Sequence, residues 1–297
     1  MSHSSTYVLL SLIGILWGFQ PTALKFLLDC WTPVTITAFR FLVVGLVLLA
    51  YQCCILRGQI RALLPVKKDW PWIIFMGING QMLNSVLQFH GLQFTTVTNC
   101  TLITATTPAI TSICAFLILR EKFAPKQWLG IFLSFGGVLT LITKGNPGML
   151  LSLHFNVGDL FCIASQFAWA FYGLAGRRLS GHIDLVTLLG WCSLVGSAGT
   201  ILFGLFTGTF QPTELPTVPF LSYLYVTLLG GIACNVFWNI GVKYVGPSVS
   251  SVFLNLTPVV GIFCGWLIFG ETVGILQLLG AAVIFLGVYL TTHGGDV

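Results

Sequence analysis

Ten apolar runs of about twenty residues each divide this 297-residue chain, and they constrain its fold more than any other feature. A helix of about 20 residues crosses the roughly 30 Å hydrocarbon core of a bilayer. Helices also satisfy their own backbone hydrogen bonds in lipid, and the runs are too long for barrel strands. The sequence therefore predicts an all-α integral membrane protein with ten transmembrane helices. The predicted spans are 7–28, 33–55, 71–91, 96–119, 126–143, 158–177, 185–207, 219–241, 248–269 and 273–292.

The scarcity of charge supports a membrane location. Only 7% of the residues are charged, whereas soluble proteins carry about 25%. This composition excludes a soluble enzyme, a nucleic-acid-binding protein and a disordered chain, and it makes membrane lipid the main partner of the surface. The nine cysteines lie almost entirely in apolar runs, where small buried side chains are expected rather than disulfides.

The lysines and arginines are distributed unevenly between the loops. The even-numbered loops hold ten of the thirteen, the odd-numbered loops hold Lys25 and Lys144, and Arg40 lies inside a span. Positive residues concentrate in cytoplasmic loops. The bias predicts a multi-pass protein of the inner (plasma) membrane with both termini in the cytoplasm.

The two halves of the chain repeat each other. A shift of 150 residues aligns them from Trp70 onward, and near the N-terminus a shift of 152 pairs Trp17 with Trp169 and Lys25 with Arg177. Each half holds five helices, so the second must enter the membrane from the opposite side. We therefore expect inverted five-helix repeats over 1–147 and 148–297, an architecture typical of secondary transporters. Matched pairs include Gly80 with Gly230, Pro108 with Pro258, and Glu121 with Glu271.

These matched residues resemble a known family. The run from Gly80 to about Thr143, and its copy from Gly230 to about Thr292, are similar to the EamA-type repeat of the drug/metabolite transporter superfamily. The resemblance implies ten helices arranged as five plus five, cytoplasmic termini, and transport of amino acids, related organic solutes or drugs, often in export. The sequence departs from the family pattern at 88–90, and Arg120 precedes the first repeated Glu where Gly270 precedes the second.

Polar side chains recur inside the spans at helical spacing. Gln81, Asn84 and Gln88 share one helix face, and Asn235 lies four residues before Asn239. Such amides bind a polar solute without requiring charge, and Trp or Tyr adds flat walls for a planar one. The alternative is that they hold neighbouring helices together. The candidate substrate-binding residues are Trp17, Gln20, Arg40, Gln81, Asn84, Gln88, Asn99, Gln166, Trp169, Tyr172, Asn235, Trp238, Asn239 and Asn255.

Charged residues near the spans have more than one interpretation. Arg40 lies seven residues past Pro33, about 10 Å into the membrane. Either it binds a substrate carboxylate or phosphate, or it makes a structural contact to helix-end carbonyls or snorkels outward. Lys25 and Asp29 are expected to form a solvated pair. Glu271, like its repeat mate, is expected to cap a helix or lie in a loop.

Three prolines lie inside predicted spans and mark kinks or hinges, because proline removes a backbone donor from a helix. These candidate hinge residues are Pro21, Pro108 and Pro258.

The leading hypothesis is a permease for a small organic metabolite, such as an amino acid or another zwitterionic or planar solute, that works by alternating access. No carboxylate lies at mid-span, so we expect facilitated diffusion or exchange. The alternatives are an importer of a nucleotide-like anion that uses Arg40, a channel, and an intramembrane enzyme, for which no catalytic motif is present. We expect no cofactor, no metal, and a monomer or weak dimer.

Overall fold

A computed structural model describes residues 3–57, 63–120, 124–142, 156–179, 183–238, 240–241, 244, 253–254 and 256–293. The chain has the predicted fold class, an all-α membrane protein built from two inverted five-helix repeats. In the first half the helices are α1 (His3–Leu28), α2 (Pro33–Ile55), α3 (Trp70–Met76, Gly77–Leu83 and Asn84–Phe94), α4 (Val97–Thr104), α5 (Thr107–Leu119) and α6 (Pro125–Ile142). In the second half they are α7 (Val157–Leu179), α8 (Leu185–Thr207), α9 (Thr217–Trp238), α10 (Leu256–Phe269) and α11 (Ile275–His293).

Helix length and hydropathy agree with a membrane environment. The helices α1, α2, α7, α8 and α9 are each long and apolar enough to cross a bilayer, and α4 and α5 form a bent pair that does so together. Local residues fix where these helices begin. Thr32 caps α2, since its Oγ1 accepts the Thr35 N–H at 3.1 Å, and Pro33 occupies the first turn, where no backbone donor is needed.

The fourth predicted span, 96–119, is broken rather than continuous. The helices α4 and α5 meet at Ala105 and Thr106 with a bend of 40°. Pro108 explains the break, because it lacks the N–H that would bind the Thr104 carbonyl and disfavours helix at the residue before it. Thr107 Oγ1 lies 2.5 Å from the freed Thr104 carbonyl and 2.7 Å from Gln166 Oε1, so its hydroxyl is placed to donate to either acceptor.

The candidate hinge prolines occupy three different settings. Pro21 lies inside α1, which continues through it as a single helix. Pro108 lies in the first turn of α5, directly after the break, and Pro258 is the third residue of α10. A hinge role for all three stays a prediction, and the backbone break beside Pro108 is the feature that favours it there.

A wide π-helical segment interrupts one helix in each half, at the same place in the repeat. The segments are Gly77–Leu83 in α3 and Tyr225–Ala233 in α9, and their last residues are matched by the shift of 150. Isolated π segments are rare and often lie at functional sites. The apolar pattern gave no sign of either segment.

The last helices of the two halves, α6 and α11, pack across an internal two-fold axis. A side chain on Gly137 would place its Cβ 2.7 Å from Ile284 Cγ1 and 2.8 Å from the Gly280 carbonyl. Its repeat mate Gly287 faces Ser134 and the Gly130 carbonyl, which are the mates of those two partners. Such reciprocal contacts are the signature of a two-fold interface.

The second helices of the halves, α2 and α8, pack in the same reciprocal way. A Cβ on Gly45 would lie 3.0 Å from the Gly190 carbonyl. Ser197 donates its hydroxyl to the Ala38 carbonyl at 2.7 Å. With a shift of 152, Gly45 corresponds to Ser197 and Ala38 to Gly190, so one contact is the copy of the other.

The helices α5 and α10 end on matched residues with the same left-handed backbone. Arg120 has φ 55° and Gly270 has φ 62°. Glycine adopts this conformation without a steric penalty, whereas a residue with a Cβ does not. The departure of Arg120 from the repeat pattern therefore places strain at this helix end.

We expect Gly137→Val to destabilise the protein by about 1–3 kcal/mol, because the added atoms overlap α11 at the two-fold contact. Gly136→Val is the matched control, since a Cβ at Gly136 meets nothing within 4 Å. Thermal unfolding midpoints in detergent measure both variants. Equal midpoints for the two would show that α6 and α11 do not pack in this way.

We expect Arg120→Gly to raise the unfolding free energy by about 1 kcal/mol through relief of left-handed strain. Arg120→Ala removes the charge but keeps the Cβ, and it should leave the melting temperature near that of the parent. A stabilisation by Ala as large as that by Gly would assign the effect to charge instead of backbone conformation.

Candidate functional site

The Arg40 guanidinium is buried inside the helical bundle. Its side chain is 6% exposed, and Nη2 donates to Gln20 Oε1 at 3.3 Å. The guanidinium carbon lies 5.2 Å from the ring centre of Phe41 and 5.8 Å from that of Phe89. Within the described part of the chain, Nε has no hydrogen-bond partner. A Cβ built on Gly231 of α9 would lie 3.6 Å from this nitrogen.

Four more candidate residues lie at or beside the π segment of α9, and with this arginine they form the α1–α9 cluster: Trp17, Gln20, Arg40, Asn235 and Trp238. The Trp17 indole donates to the Gly230 carbonyl at 3.1 Å, and its ring lies 5.7 Å from the ring of Trp238. Asn235 donates to the Gly231 carbonyl at 2.9 Å. The structure thus brings these amide, aromatic and cationic groups together at the π segment of α9.

A second group of candidate residues lies between α3 and α7, and we call it the α3–α7 cluster: Gln81, Asn84, Gln88, Gln166, Trp169 and Tyr172. Asn84 donates to the Ser165 carbonyl at 2.8 Å, and Gln88 donates to Thr104 Oγ1 at 3.3 Å. Gln166 Oε1 lies 2.7 Å from Thr107 Oγ1. This cluster lies beside the break between α4 and α5.

The two clusters are copies of each other. Tyr172 of α7 packs against Gly80 of α3, and its repeat mate Gln20 of α1 packs against Gly230 of α9. Trp169 stacks on Tyr172 at 5.1 Å between ring centres and is 38% exposed. One site therefore occurs twice, once in each orientation, with different side chains in the two copies.

The two clusters differ in how their polar groups are used. In the α3–α7 cluster, the Asn84 amide donates to the Ser165 carbonyl of α7 and the Gln88 amide donates to Thr104 Oγ1 of α4, contacts that hold neighbouring helices together. In the α1–α9 cluster, Arg40 Nε is a donor without an acceptor in the described part of the chain. The remaining candidates, Asn239 and Asn255, lie outside the described residues.

Asn99 belongs to neither cluster, and it lies at the end of the bundle where α1 and α10 end. Its amide nitrogen is 3.4 Å from Asp159 Oδ1, and its carbonyl oxygen accepts from Gln277 at 3.2 Å. Asp159 is 1% exposed and also accepts the Thr95 hydroxyl at 2.5 Å. This buried network joins α4 of the first half to α7 and α11 of the second half.

At the same end, the Glu271 carboxylate joins the two halves. It accepts the backbone N–H of Val97 at 2.9 Å and that of Thr98 at 3.1 Å, at the first turn of α4. The capping role expected for Glu271 is therefore present, but it acts on a helix of the opposite half. A carboxylate at a helix N-terminus also interacts favourably with the helix dipole.

Lys25 pairs with Glu271 rather than with the expected Asp29. Its Nζ lies 3.4 Å from Glu271 Oε1, and the two side chains are 30% and 9% exposed. The prediction of a solvated Lys25–Asp29 pair was wrong, because α10 delivers a buried carboxylate beside α1. The repeat alignment contained a signal for this pair, because both charges recur in the other half. It matched basic Lys25 with basic Arg177, and acidic Glu271 with acidic Glu121. The Lys25–Glu271 pair and the Asn99 network lie at the same end of the bundle, and we call their residues the end cluster: Lys25, Thr95, Asn99, Asp159, Glu271 and Gln277.

Comparisons with known proteins agree with this architecture. The model of the EamA-like transporter family matches residues 4–143 and 156–293. The uncharacterized transporter YyaM of Bacillus subtilis (strain 168) is 30% identical over 300 residues, covering 99% of this chain and 95% of its own. The uncharacterized transporter YetK of the same organism is 31% identical over 261 residues, covering 87% and 78%. A solved crystal structure with 20% identity covers 97% of this chain and 96% of its own at a TM-score of 0.64, which shows the same fold.

We expect Glu271→Gln to destabilise the protein by about 1–3 kcal/mol, because an amide cannot accept both α4 N–H groups and also balance Lys25. Glu214→Gln is the matched control, since Glu214 is exposed in the loop between α8 and α9. Thermal unfolding in detergent measures both. If the two variants melt together, the end cluster does not hold the halves.

Proposed function

Because this chain belongs to the EamA-like transporter family, we propose that it moves a small organic metabolite across the inner membrane by alternating access. The solute is an amino acid or a similar zwitterionic or planar compound. Family membership makes the chain a transporter and not an enzyme.

The alternating-access proposal is supported by the way the two halves contact each other. They pack reciprocally, and they are joined at one end of the bundle. In the contact of α6 with α11, and in that of α2 with α8, each interaction has a copy in which the two halves have changed places. The end cluster joins the halves at one end, through Lys25–Glu271 and Asn99–Gln277. In an inverted repeat, exchanging the conformations of the halves yields a second state of similar energy, joined at the opposite end.

The composition of the α1–α9 cluster supports the solute class. Trp17 and Trp238 offer flat apolar surfaces, and both are only partly buried. Gln20 and Asn235 are amides, which both donate and accept hydrogen bonds. Such groups suit a planar or zwitterionic solute better than a simple inorganic ion.

The positions of the titratable groups support facilitated diffusion or exchange. Asp159 and Glu271 are buried, but they lie in the end cluster at the first turn of α7 and beyond the end of α10. His90 lies near the end of α3, with Nδ1 3.0 Å from Gln93 Oε1. None of the three lies at mid-span, where a proton relay is expected. Uptake that depends on a proton gradient and survives His90→Ala would contradict this part of the proposal.

The charge bias of the loops supports both termini lying in the cytoplasm. With this orientation, the end cluster faces the outside, and we infer that its contacts close the bundle on that side. We propose that the protein works in this orientation as a monomer or weak dimer.

A second candidate function, import of a nucleotide-like or other anionic metabolite, rests on Arg40 Nε, which has no hydrogen-bond partner among the residues that the structure describes. It differs from the first in solute charge and direction but uses the same alternating mechanism. Counterflow with anionic and zwitterionic solutes separates the two.

We expect purified protein in liposomes to catalyse saturable counterflow. Labelled phenylalanine or uridine outside should accumulate transiently when the same unlabelled solute is trapped inside, because a carrier exchanges solute at a single site. Glu271→Gln should change the exchange rate at least about threefold by weakening the joined end, which corresponds to about 0.7 kcal/mol, whereas Glu214→Gln should not.

Ohmic conductance in a planar bilayer without saturable exchange would identify a channel and overturn the alternating-access proposal. Counterflow of an anionic nucleotide but of neither phenylalanine nor uridine would favour the second candidate.

A further inference from the structure

We propose that Arg40 binds a carboxylate of the transported solute through the edge formed by Nε and Nη2. This inference rests on the proposed transport function and specifies its solute class, a small organic acid or zwitterion with a planar apolar part. It assigns the α1–α9 cluster, and not its copy between α3 and α7, as the half of the site that recognises charge.

The donors of the guanidinium define where the carboxylate binds. Nε and Nη2 point in parallel along one edge, which matches the two oxygens of a carboxylate. On this edge Nε has no partner among the described residues, and Nη2 has only the neutral Gln20 oxygen at 3.3 Å. The edge that suits a carboxylate best is therefore the one that the protein leaves least satisfied.

The charge of Arg40 lacks a counter-charge in the described residues. Arginine remains protonated in proteins, and a buried unpaired cation is costly. The carboxylates of Asp29, Asp69, Asp159, Asp184, Glu214 and Glu271 are all described, and none forms a salt bridge with Arg40. An anionic group on the solute would supply the missing charge, and the low polarity around Phe41 and Phe89 would strengthen the interaction.

Repeat symmetry shows that packing at this depth does not require an arginine. The shift of 152 that relates the contacts of α2 and α8 matches Arg40 with Cys192. Cys192 is fully buried in α8. One turn after it, Gly196 packs against Gln81 of the α3 π segment, just as Val44, one turn after Arg40, packs against Gly231 of the α9 π segment. The same junction therefore packs with a small thiol in one half, which leaves the charge of Arg40 available for binding.

Solute binding tests this inference with probes that differ in one group. Phenylalanine is compared with phenylalaninamide, and 3-phenylpropionate with 3-phenylpropanamide, by equilibrium binding and thermal shift on the purified full chain. We expect each carboxylate to bind at least about tenfold more tightly than its amide, as loss of a charge-assisted pair requires.

Two substitutions locate the effect. Arg40→Gln should abolish the preference for carboxylate over amide, and Arg40→Lys should reduce it, because lysine keeps the charge but not the two-donor edge. Cys192→Ala, at the matched position, should leave the preference unchanged. A merely structural Arg40 would alter stability without altering this preference, so the ratio separates the two roles even if Arg40→Gln is less stable.

The other possible results reject either the Arg40 site or the transport function. A carboxylate preference that persists in Arg40→Gln, or no preference in the parent protein for either pair, overturns the inference. Counterflow of the amides equal to that of the acids would retain the transporter but reject the Arg40 site. Arg40-dependent binding of carboxylates without counterflow would retain the site but reject the transport function.

Discussion

The structure depends on one constraint, which is that every backbone donor and acceptor in lipid must be bonded within the protein. The departures from regular helix follow from how this constraint is met. At the break between α4 and α5, Thr107 Oγ1 approaches the carbonyl that Pro108 leaves free. In the α9 π segment, Gly230 and Gly231 present their carbonyls to Trp17 and Asn235. Irregular backbone thus occurs where side chains replace backbone donors, and in the α9 π segment those side chains belong to the candidate site.

Hydrophobic run length and the internal repeat predicted the fold class well, because helix length in a bilayer and inversion of an odd-numbered repeat are both dictated by simple geometry. The break at Thr106 and the two π segments were not predicted, since they change hydrogen bonding without changing hydropathy. The pairing of Lys25 with Glu271 was missed because it joins residues 246 positions apart across the two halves. The sequence named the members of the α1–α9 cluster, but only the structure identified which of them share one junction.

Packing is symmetric in this protein, whereas charge is not. At the α6–α11 contact glycine lies at both Gly137 and its mate Gly287, and at the α2–α8 contact small residues lie at both Gly45 and its mate Ser197. Arg40 and Cys192 occupy matched places with entirely different chemistry. This divergence is expected if the proposed alternating motion requires similar packing in both halves. Recognition of a solute requires suitable polar groups in only one of them.

Glu271 caps α4 from the other half of the chain, and this contact has a consequence for hydration. The carboxylate satisfies two of the unbonded N–H groups with which α4 begins. Whenever α10 moves away from α4, those amides and the released carboxylate must all be rehydrated at once. In the proposed transport cycle, separation of the halves at this end would therefore coincide with the entry of water.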